Sequence, residues 1–387
     1  MKFLFVSVIG CLVICYFTGC SRSVEPVINE IRIISKKWVP DQREGICDVH
    51  IDFKTKKKVI VTGETNLPGA KNEILEAIIS KGFIPKDEIN LLPDLTVGIK
   101  KWALVNLSVA NMRSRPSHAA EMVSQAILGT PVKVLKREED WALIQTPDRY
   151  IAWTNSSSLS FYDAKEITSW RQSNRIIYLG NTGVITEESG DVVADIITGS
   201  ILQKEGESDQ WVKVILPRGD VGYVDKEKVV NFNDWKQTVA PSAIALVTDG
   251  KSLMSIPYLW GGTSVKGLDC SGFVKSIYFQ NGVVLARDAS LQIRYGQQVD
   301  ISEGYDLFQA GDLLFFGPSD PCRVTHVGMY IGNSEYIHEA GRVKVNSLDS
   351  TRTNYNRYRK ATLLGARRYI GEPSQQGIRA IHDHPWY

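Results

Sequence analysis

The chain has 387 residues, with 45 Lys and Arg against 43 Asp and Glu and a formal net charge of +2. That length holds two to four domains of about 100–200 residues each, and the balanced charge without a basic patch argues against a nucleic-acid partner. Of the six cysteines, Cys11, Cys15 and Cys20 lie at the start, so the rest form no disulfide framework; without a Cys-x-x-Cys pair no structural zinc is expected, and nothing calls for a cofactor.

Met1-Lys2-Phe3 followed by an apolar run through Phe17 reads as a secretory leader, residues 1–20. It ends in Phe17-Thr18-Gly19-Cys20, which resembles the bacterial lipobox and implies acylation of Cys20. The plain alternative is cleavage that releases a free protein. A lipid anchor is strong because each buried methylene contributes about 0.8 kcal/mol. The expected location is therefore export, with anchorage in the bacterial envelope. Residues 21–30 read as a tether inside a small N-terminal unit, 21–100. Strands are expected over 49–53 and 59–63 about a lysine-rich turn. A helix is expected over 70–81, where Ile74, Leu75, Ile78 and Ile79 share a face and Gly82 ends the run. No chemistry is visible there, and His50 reads as a surface residue. Cys47 and Cys322 could pair in an oxidising compartment, though nothing demands it.

Residues 101–165 alternate short apolar runs with turn residues, including Gly129-Thr130-Pro131 and a strand-borne Trp141. This is the pattern of a small barrel. The same order of Gly-Ser/Thr run, Trp run and Tyr run returns over 166–234, with Trp211 and Tyr223. Two copies predict tandem modules of one kind. A linker at 232–241 leads to the last domain, 240–371. In the closing segment, 372–387, His382 and His384 flank Asp383 and read as a solvated tail.

The chemistry concentrates in that last domain. Leu268-Asp269-Cys270-Ser271-Gly272-Phe273 opens an amphipathic run in which Phe273, Val274, Ile277 and Tyr278 recur at helical spacing before Asn281-Gly282. Cys270 therefore falls in the first turn of a helix. Unpaired N–H groups there favour negative charge and are expected to lower a thiol from about 8.5 toward about 3.5–7.5. A thiol nucleophile needs a base, and the base needs an orienting partner. His326 and His338 lie on two alternating strands joined by Gly332-Asn333-Ser334. If the hairpin sets His326 opposite Ala340, the two rings share one face as diagonal neighbours about 7–8 Å apart at the backbone. The bland alternatives are a buried structural cysteine and two satisfied sheet histidines. A catalytic zinc on the same three residues is weaker, because the His-x-Glu and Cys-x-x-Cys order of deaminase-type sites is absent.

Taken together, Tyr258-Leu259-Trp260-Gly261-Gly262, the segment around Cys270, Ala310-Gly311-Asp312-Leu313-Leu314-Phe315-Phe316, and Thr325-His326-Val327-Gly328 with Ile337-His338 resemble the NlpC-type papain-like cysteine peptidases. With the preceding barrels, the arrangement is similar to YkfC-like γ-D-glutamyl-L-diamino acid endopeptidases. The resemblance implies an α+β chain: a papain-like domain preceded by two SH3-like barrels and a small N-terminal α/β unit. It implies Cys270 as nucleophile, His326 as base and His338 as orienting residue, with Tyr258 near the thiol and oxyanion region. It implies Asp269 and Ser271 at the substrate's amino end, and Asp288 and Ser290 at the D-glutamate or its neighbour. From the first barrel, Glu121 and Tyr150 would close the site around a free N-terminal L-alanine, because a confined ammonium needs a carboxylate. The expected partner is a released muropeptide, L-Ala-γ-D-Glu-diamino acid. Two other readings stay open: cleavage of stem peptides in the intact wall, and a non-catalytic lipoprotein that binds wall peptide.

Overall fold

The computed structural model describes residues 24–302, 304–318, 323–372 and 374–387. The leader, Cys20 and Cys322 lie outside the described residues. The chain forms two compact units: one of residues 24–40 and 46–91, the other of 41–45 and 92–387.

The first unit differs from the expected tether, hairpin and helix at both ends. Where a tether was expected, helix α1 spans Glu25–Trp38 and buries Val27, Ile31 and Ile34, which recur at helical spacing. Strands β1 (Cys47–Phe53) and β2 (Lys58–Thr65) pair antiparallel across the lysine turn. Helix α2 (Pro68–Ser80) then crosses over to β3 (Ile84–Leu91), which lies parallel to β2. Only Ile89 is buried along β3, so that strand carries no alternating apolar signal. His50 stands exposed on β1, with Nε2 3.2 Å from Asp48.

The second unit begins with two seven-stranded antiparallel sheets. The first holds β4 (Trp102–Val105), β5 (Val109–Arg113), β6 (Met122–Ile127), β7 (Pro131–Glu138), β8 (Trp141–Gln145), β9 (Ile151–Asn155) and β10 (Leu159–Tyr162). The second holds β11 (Arg175–Tyr178), β12 (Thr182–Thr186), β13 (Val192–Ile197), β14 (Ile201–Glu207), β15 (Trp211–Ile215), β16 (Val221–Asp225) and β17 (Val229–Asn231). Their hydrogen-bonding orders are β10-β4-β7-β8-β9-β5-β6 and, read from the other edge, β17-β11-β14-β15-β16-β12-β13. The two orders match strand for strand. Each module also inserts one 3₁₀ turn before its last strand, capped by Asn155 in the first and Asp225 in the second. Helix α3 (Ala164–Gln172) joins them and starts at a capping box of Asp163 and Glu166.

The last domain packs α6 (Cys270–Gln280) against a six-stranded antiparallel sheet; α4 (Phe232–Thr238) and α5 (Ala243–Ser252) precede it, with the two-residue strands β18 (Thr263–Ser264) and β19 (Gly267–Leu268). The sheet order is β21-β26-β22-β23-β24-β25, with β21 at Gln297–Val299, β22 at Leu313–Phe316, β23 at His326–Gly332, β24 at Glu335–Glu339, β25 at Val343–Ser347 and β26 at Leu363–Arg368. The short elements β20 (Val283–Leu285), α7 (Ala289–Gln292) and α8 (Arg357–Ala361) complete it. Phe273, Val274, Ile277 and Tyr278 of α6 share one core with Leu313, Phe315, Val327, Met329 and Ile337 of the sheet. This burial fixes the rotation of α6 and hence where its first residue points.

The closing segment is a correction: it is packed. Strand β27 (Ile378–Ala380) pairs with β20. Ile381 and Tyr387 enter a core shared with Trp170 and Phe232, and Trp386 meets Trp102 edge-on at 5.1 Å. His384 is buried. Its Nε2 donates to the Pro147 carbonyl at 3.0 Å and its Nδ1 accepts from the Trp386 N–H at 3.2 Å. Apolar residues at 378, 381, 386 and 387 outweigh the histidines that suggested a wet tail. Among the described residues no His, Cys, Asp and Glu gather as a metal cluster.

Candidate active site

Helix α6 begins at a strong cap. Asp269 stands at the N-cap and its Oδ1 accepts the Gly272 N–H at 2.7 Å, leaving Cys270 as the first helical residue. Gly272 is there for close approach: a Cβ on it would lie 2.0 Å from the Gly262 carbonyl oxygen. The Asp269 N–H also donates to that carbonyl at 3.0 Å. The helix start is thus pinned to the loop after Tyr258. That loop is in turn pinned to the first barrel, where the Thr263 N–H donates to Gln125 Oε1 at 3.0 Å.

Asp269 is fully engaged. Besides Gly272, its carboxylate accepts from the Gly261 N–H at 3.0 Å, Ser271 Oγ at 3.1 Å, and Arg287 Nη1 and Nη2 at 3.1 and 2.5 Å. Ser271 Oγ also accepts from Arg287 Nη1 at 2.9 Å. The two residues that the resemblance sets at the substrate's amino end therefore hold each other and a buried guanidinium. Arg287 is 1% exposed, and its Nε reaches Ser124 Oγ of β6 at 3.1 Å. Its charge is held on by Asp269 against the penalty of burial.

The thiol of Cys270 faces β23. The backbone N–H groups of Val327, next to His326, and of Ser271 are close enough to favour its thiolate form. Burial pushes the thiol up to about 11 and Asp269 adds to the rise, outweighing those N–H groups and Arg287. This corrects the expectation of a lowered thiol: the helix start is real, but the cysteine is shut away from water and has a carboxylate beside it. The resting group is a neutral thiol.

The hairpin has the register that brings the histidines together. Met329 pairs with Ile337 and Tyr330 with Tyr336; continuing this ladder sets His326 opposite Ala340. His326 Nε2 and His338 Nδ1 lie 2.8 Å apart. Gly328 leaves room for the crossing, since a Cβ there would meet the His338 Cβ at 3.0 Å. Burial, followed by the charge of Arg359, holds His326 well below its ordinary value. Burial lowers His338 to about 4 despite the bond it makes to Asn346. Both rings are neutral near pH 7. With His326 Nε2 engaged, Nδ1 is the nitrogen left for the thiol.

Tyr258 is half-exposed, and its phenol is pushed up to about 12, first by burial and then by Cys270 and Asp269. Glu121 accepts from Trp260 Nε1 at 2.8 Å, across from the Tyr258 loop. Tyr150 is 5% exposed and belongs to the first barrel's core. Burial raises its phenol, and Asp288 raises it further while Arg287 and Arg43 oppose. Asp288 and Ser290 are both taken by a residue with no motif around it: Arg43 Nη1 lies 2.8 Å from Asp288 Oδ2, and both Nη atoms lie 3.2 Å from Ser290 Oγ. Arg43 is itself paired to Asp41, and its carbonyl accepts the Ile151 N–H of β9 at 2.8 Å. Another unforeseen residue is the acid Glu339, beside His338. It is fully buried with neither carboxylate oxygen hydrogen-bonded, and burial raises it to about 7. Arg43 sits in a polar run that reads as a connection, and Arg287 beside Asp288 carries no sign of being buried; neither has a sequence signal.

Residues 255–368 match the NlpC/P60 family, and residues 112–159 match the bacterial dipeptidyl-peptidase SH3 domain. The chain is 30% identical over 273 residues to dipeptidyl-peptidase 6 of Lysinibacillus sphaericus, covering 65% of this chain and 94% of that protein. It is 27% identical over 258 residues to the γ-D-glutamyl-L-lysine dipeptidyl-peptidase of Bacillus cereus, covering 64% and 76%. The crystal structure of an NlpC/P60 family protein from Bacillus cereus superposes with a TM-score of 0.61 at 25% identity, covering 70% of this chain and 99% of that one.

Proposed function

Because the chain belongs to the NlpC/P60 family, we propose that it is a cysteine peptidase that hydrolyses the γ-D-glutamyl–diamino acid bond of peptidoglycan-derived peptides bearing a free N-terminal L-alanine. The observation that carries this reading is a buried thiol at a capped helix start, set against Val327 on the strand that carries one of two histidines whose ring nitrogens lie 2.8 Å apart. As Cys270 Sγ attacks the γ-carbonyl carbon, His326 Nδ1 takes the thiol proton, so a high resting thiol pKa is no obstacle. First-turn N–H groups and the Tyr258 hydroxyl stabilise the oxyanion. The tetrahedral adduct collapses with C–N cleavage, and Nδ1 delivers its proton to the leaving amine. Water then attacks the thioester, giving one proton to Nδ1; release of the acid returns that proton to sulfur. His338 orients the base throughout.

Glu121 and Tyr150 wall the amino end from the first barrel, with Asp288 close enough to Tyr150 to act on its phenol. A wall of this kind suits a short released peptide better than a stem still joined to glycan. The test is release of L-Ala-γ-D-Glu from the free tripeptide, from its N-acetylated form and from whole sacculi. The free tripeptide alone should be cut efficiently. Equal cleavage of sacculi would select the open-cleft reading, and tight peptide binding with no cleavage would select the binding lipoprotein. Acylation of Cys20 would hold the enzyme at the envelope; a Cys20→Ser chain recovered wholly in the membrane fraction would argue against that anchor.

A further inference from the structure

We propose that Asn346 is a positioning residue that sets the direction of the proton relay, so that His326 presents an unprotonated Nδ1 to the thiol. This deepens the peptidase reading above and rests on it for its effect on rate. Asn346 lies on β25, two residues beyond Lys344, the residue directly opposite His338; it is a diagonal neighbour within reach of the ring. Its Oδ1 is 2.8 Å from His338 Nε2. The amide cannot be turned round at no cost, because its Nδ2 donates at 2.9 Å to the Asn354 carbonyl. That carbonyl also receives the Ser347 N–H at 2.9 Å, and the Asn354 side chain donates to Glu335 Oε1 at 2.9 Å. The acceptor at the end of the line is thereby fixed.

Proton positions follow one by one. An oxygen facing His338 Nε2 requires a proton on that nitrogen. A neutral ring then has a bare Nδ1, which can only accept, so His326 Nε2 must donate to it. A neutral His326 with its proton on Nε2 has a bare Nδ1, which is the form a general base needs. Without the Asn346 oxygen the line can reverse. His338 then carries its proton on Nδ1 and donates to His326 Nε2, and the His326 proton moves to Nδ1, facing the thiol with no lone pair to offer. The two states contain the same atoms and differ only in tautomer. The charged and titratable groups around the rings are Cys270 on α6, Arg359 on α8, Lys344 on β25, and Tyr336 and Glu339 on β24; none of them supplies another acceptor to His338 Nε2.

The test pairs nitrogen NMR of the ring nitrogens in the full-length resting protein with kinetics on the tripeptide. In the wild-type protein near pH 7, both His326 and His338 should be protonated on Nε2 alone. Asn346→Ala should mix the tautomers and lower kcat about tenfold with KM unchanged. Asn346→Asp keeps an acceptor oxygen and adds a negative charge; it should hold the tautomers, retain kcat within about threefold, and move the acidic limb of the pH profile upward. A proton on Nδ1 of either ring in the wild-type protein overturns the proposal. So do equal losses in the Ala and Asp variants, which would mark a merely structural asparagine. Absence of turnover alongside the Nε2–H pattern counts against the peptidase reading and leaves the tautomer assignment standing.

Discussion

Replacing Arg287 by methionine isolates the buried ion pair beneath the nucleophile. The side chain is similar in length and apolar, so the packing volume is largely kept while the charge leaves. Asp269 then stays behind as a buried carboxylate without its cation. Breaking one side of such a pair costs about 3–5 kcal/mol. Here Asp269 keeps three other donors, the Gly261 and Gly272 N–H groups and Ser271 Oγ, which places the cost near the lower end, about 3 kcal/mol. The hydroxyls of Ser124 and Ser271 lose their contacts with the guanidinium too. With a urea slope of about 3 kcal/mol/M, the midpoint of the unit that holds both barrels and the last domain should fall by about 1 M. The double variant Arg287→Met/Asp269→Asn should recover a good part of the loss, because asparagine still caps α6 and the lone charge is gone. Urea unfolding of the full chain followed by tryptophan fluorescence reads both numbers. A midpoint shift under about 0.2 M, or a double variant that simply adds the two single losses, would refute the assignment of Arg287 as the cation that makes this helix start tolerable.

Three further outcomes follow. Gly272→Ala should disrupt the start of α6, since its Cβ would lie 2.0 Å from a backbone oxygen; activity should fall far more than for the control Gly206→Ala, where a Cβ meets nothing within 4 Å, assayed side by side. His338 titrates at about 4 in the fold against about 6.5 unfolded. The unfolded chain therefore binds more protons in that window, and up to about 3 kcal/mol of stability present above pH 6.5 is lost as pH falls toward 4; melts at pH 7.5 and 4.5 should show it, and His338→Asn should shrink the difference by this share while leaving that of His326 and His384, which burial also holds low. Glu339 has the opposite sign: its folded value of about 7 lies above the ordinary 4.5, so the unfolded chain ionises first and stability declines as pH rises from 4.5 to 7. Glu339→Gln should raise the melting temperature by a few degrees at pH 8 and hardly at all at pH 5; a lower melting temperature at pH 8 would mean that the carboxylate has a partner after all.

The barrels are legible in the sequence because turn glycines and strand tryptophans return in the same order twice, and the strand orders repeat with them. The start of α6 is legible from Phe273, Val274, Ile277 and Tyr278, whose spacing dictates which face is buried. The histidine hairpin is readable because Gly332-Asn333-Ser334 marks the turn and the two-residue period then sets the faces. Other elements leave no such trace. Strand β3 is mostly exposed and held by its parallel ladder to β2, and α1 begins where composition suggests a tether. The closing segment looks polar, yet it packs through four scattered apolar residues. Within the site, Arg43, Arg287 and Glu339 are ordinary charged letters whose surroundings are set by the fold: partners far along the chain hold the two arginines, and Glu339 is buried without one. The same long-range burial reverses the expected shift of the thiol: local helix position pulls it down, and exclusion from water with Asp269 alongside pushes it up further.

The central claim is a covalent intermediate on one sulfur. Rapid acid quench of the enzyme during turnover of L-Ala-γ-D-Glu-diamino acid, followed by peptide mass mapping, should find the L-Ala-γ-D-Glu acyl group on Cys270, and a Cys270→Ala chain should carry no adduct and release no dipeptide. An acyl group mapped to any other residue, or undiminished dipeptide release from the Cys270→Ala chain, would contradict it.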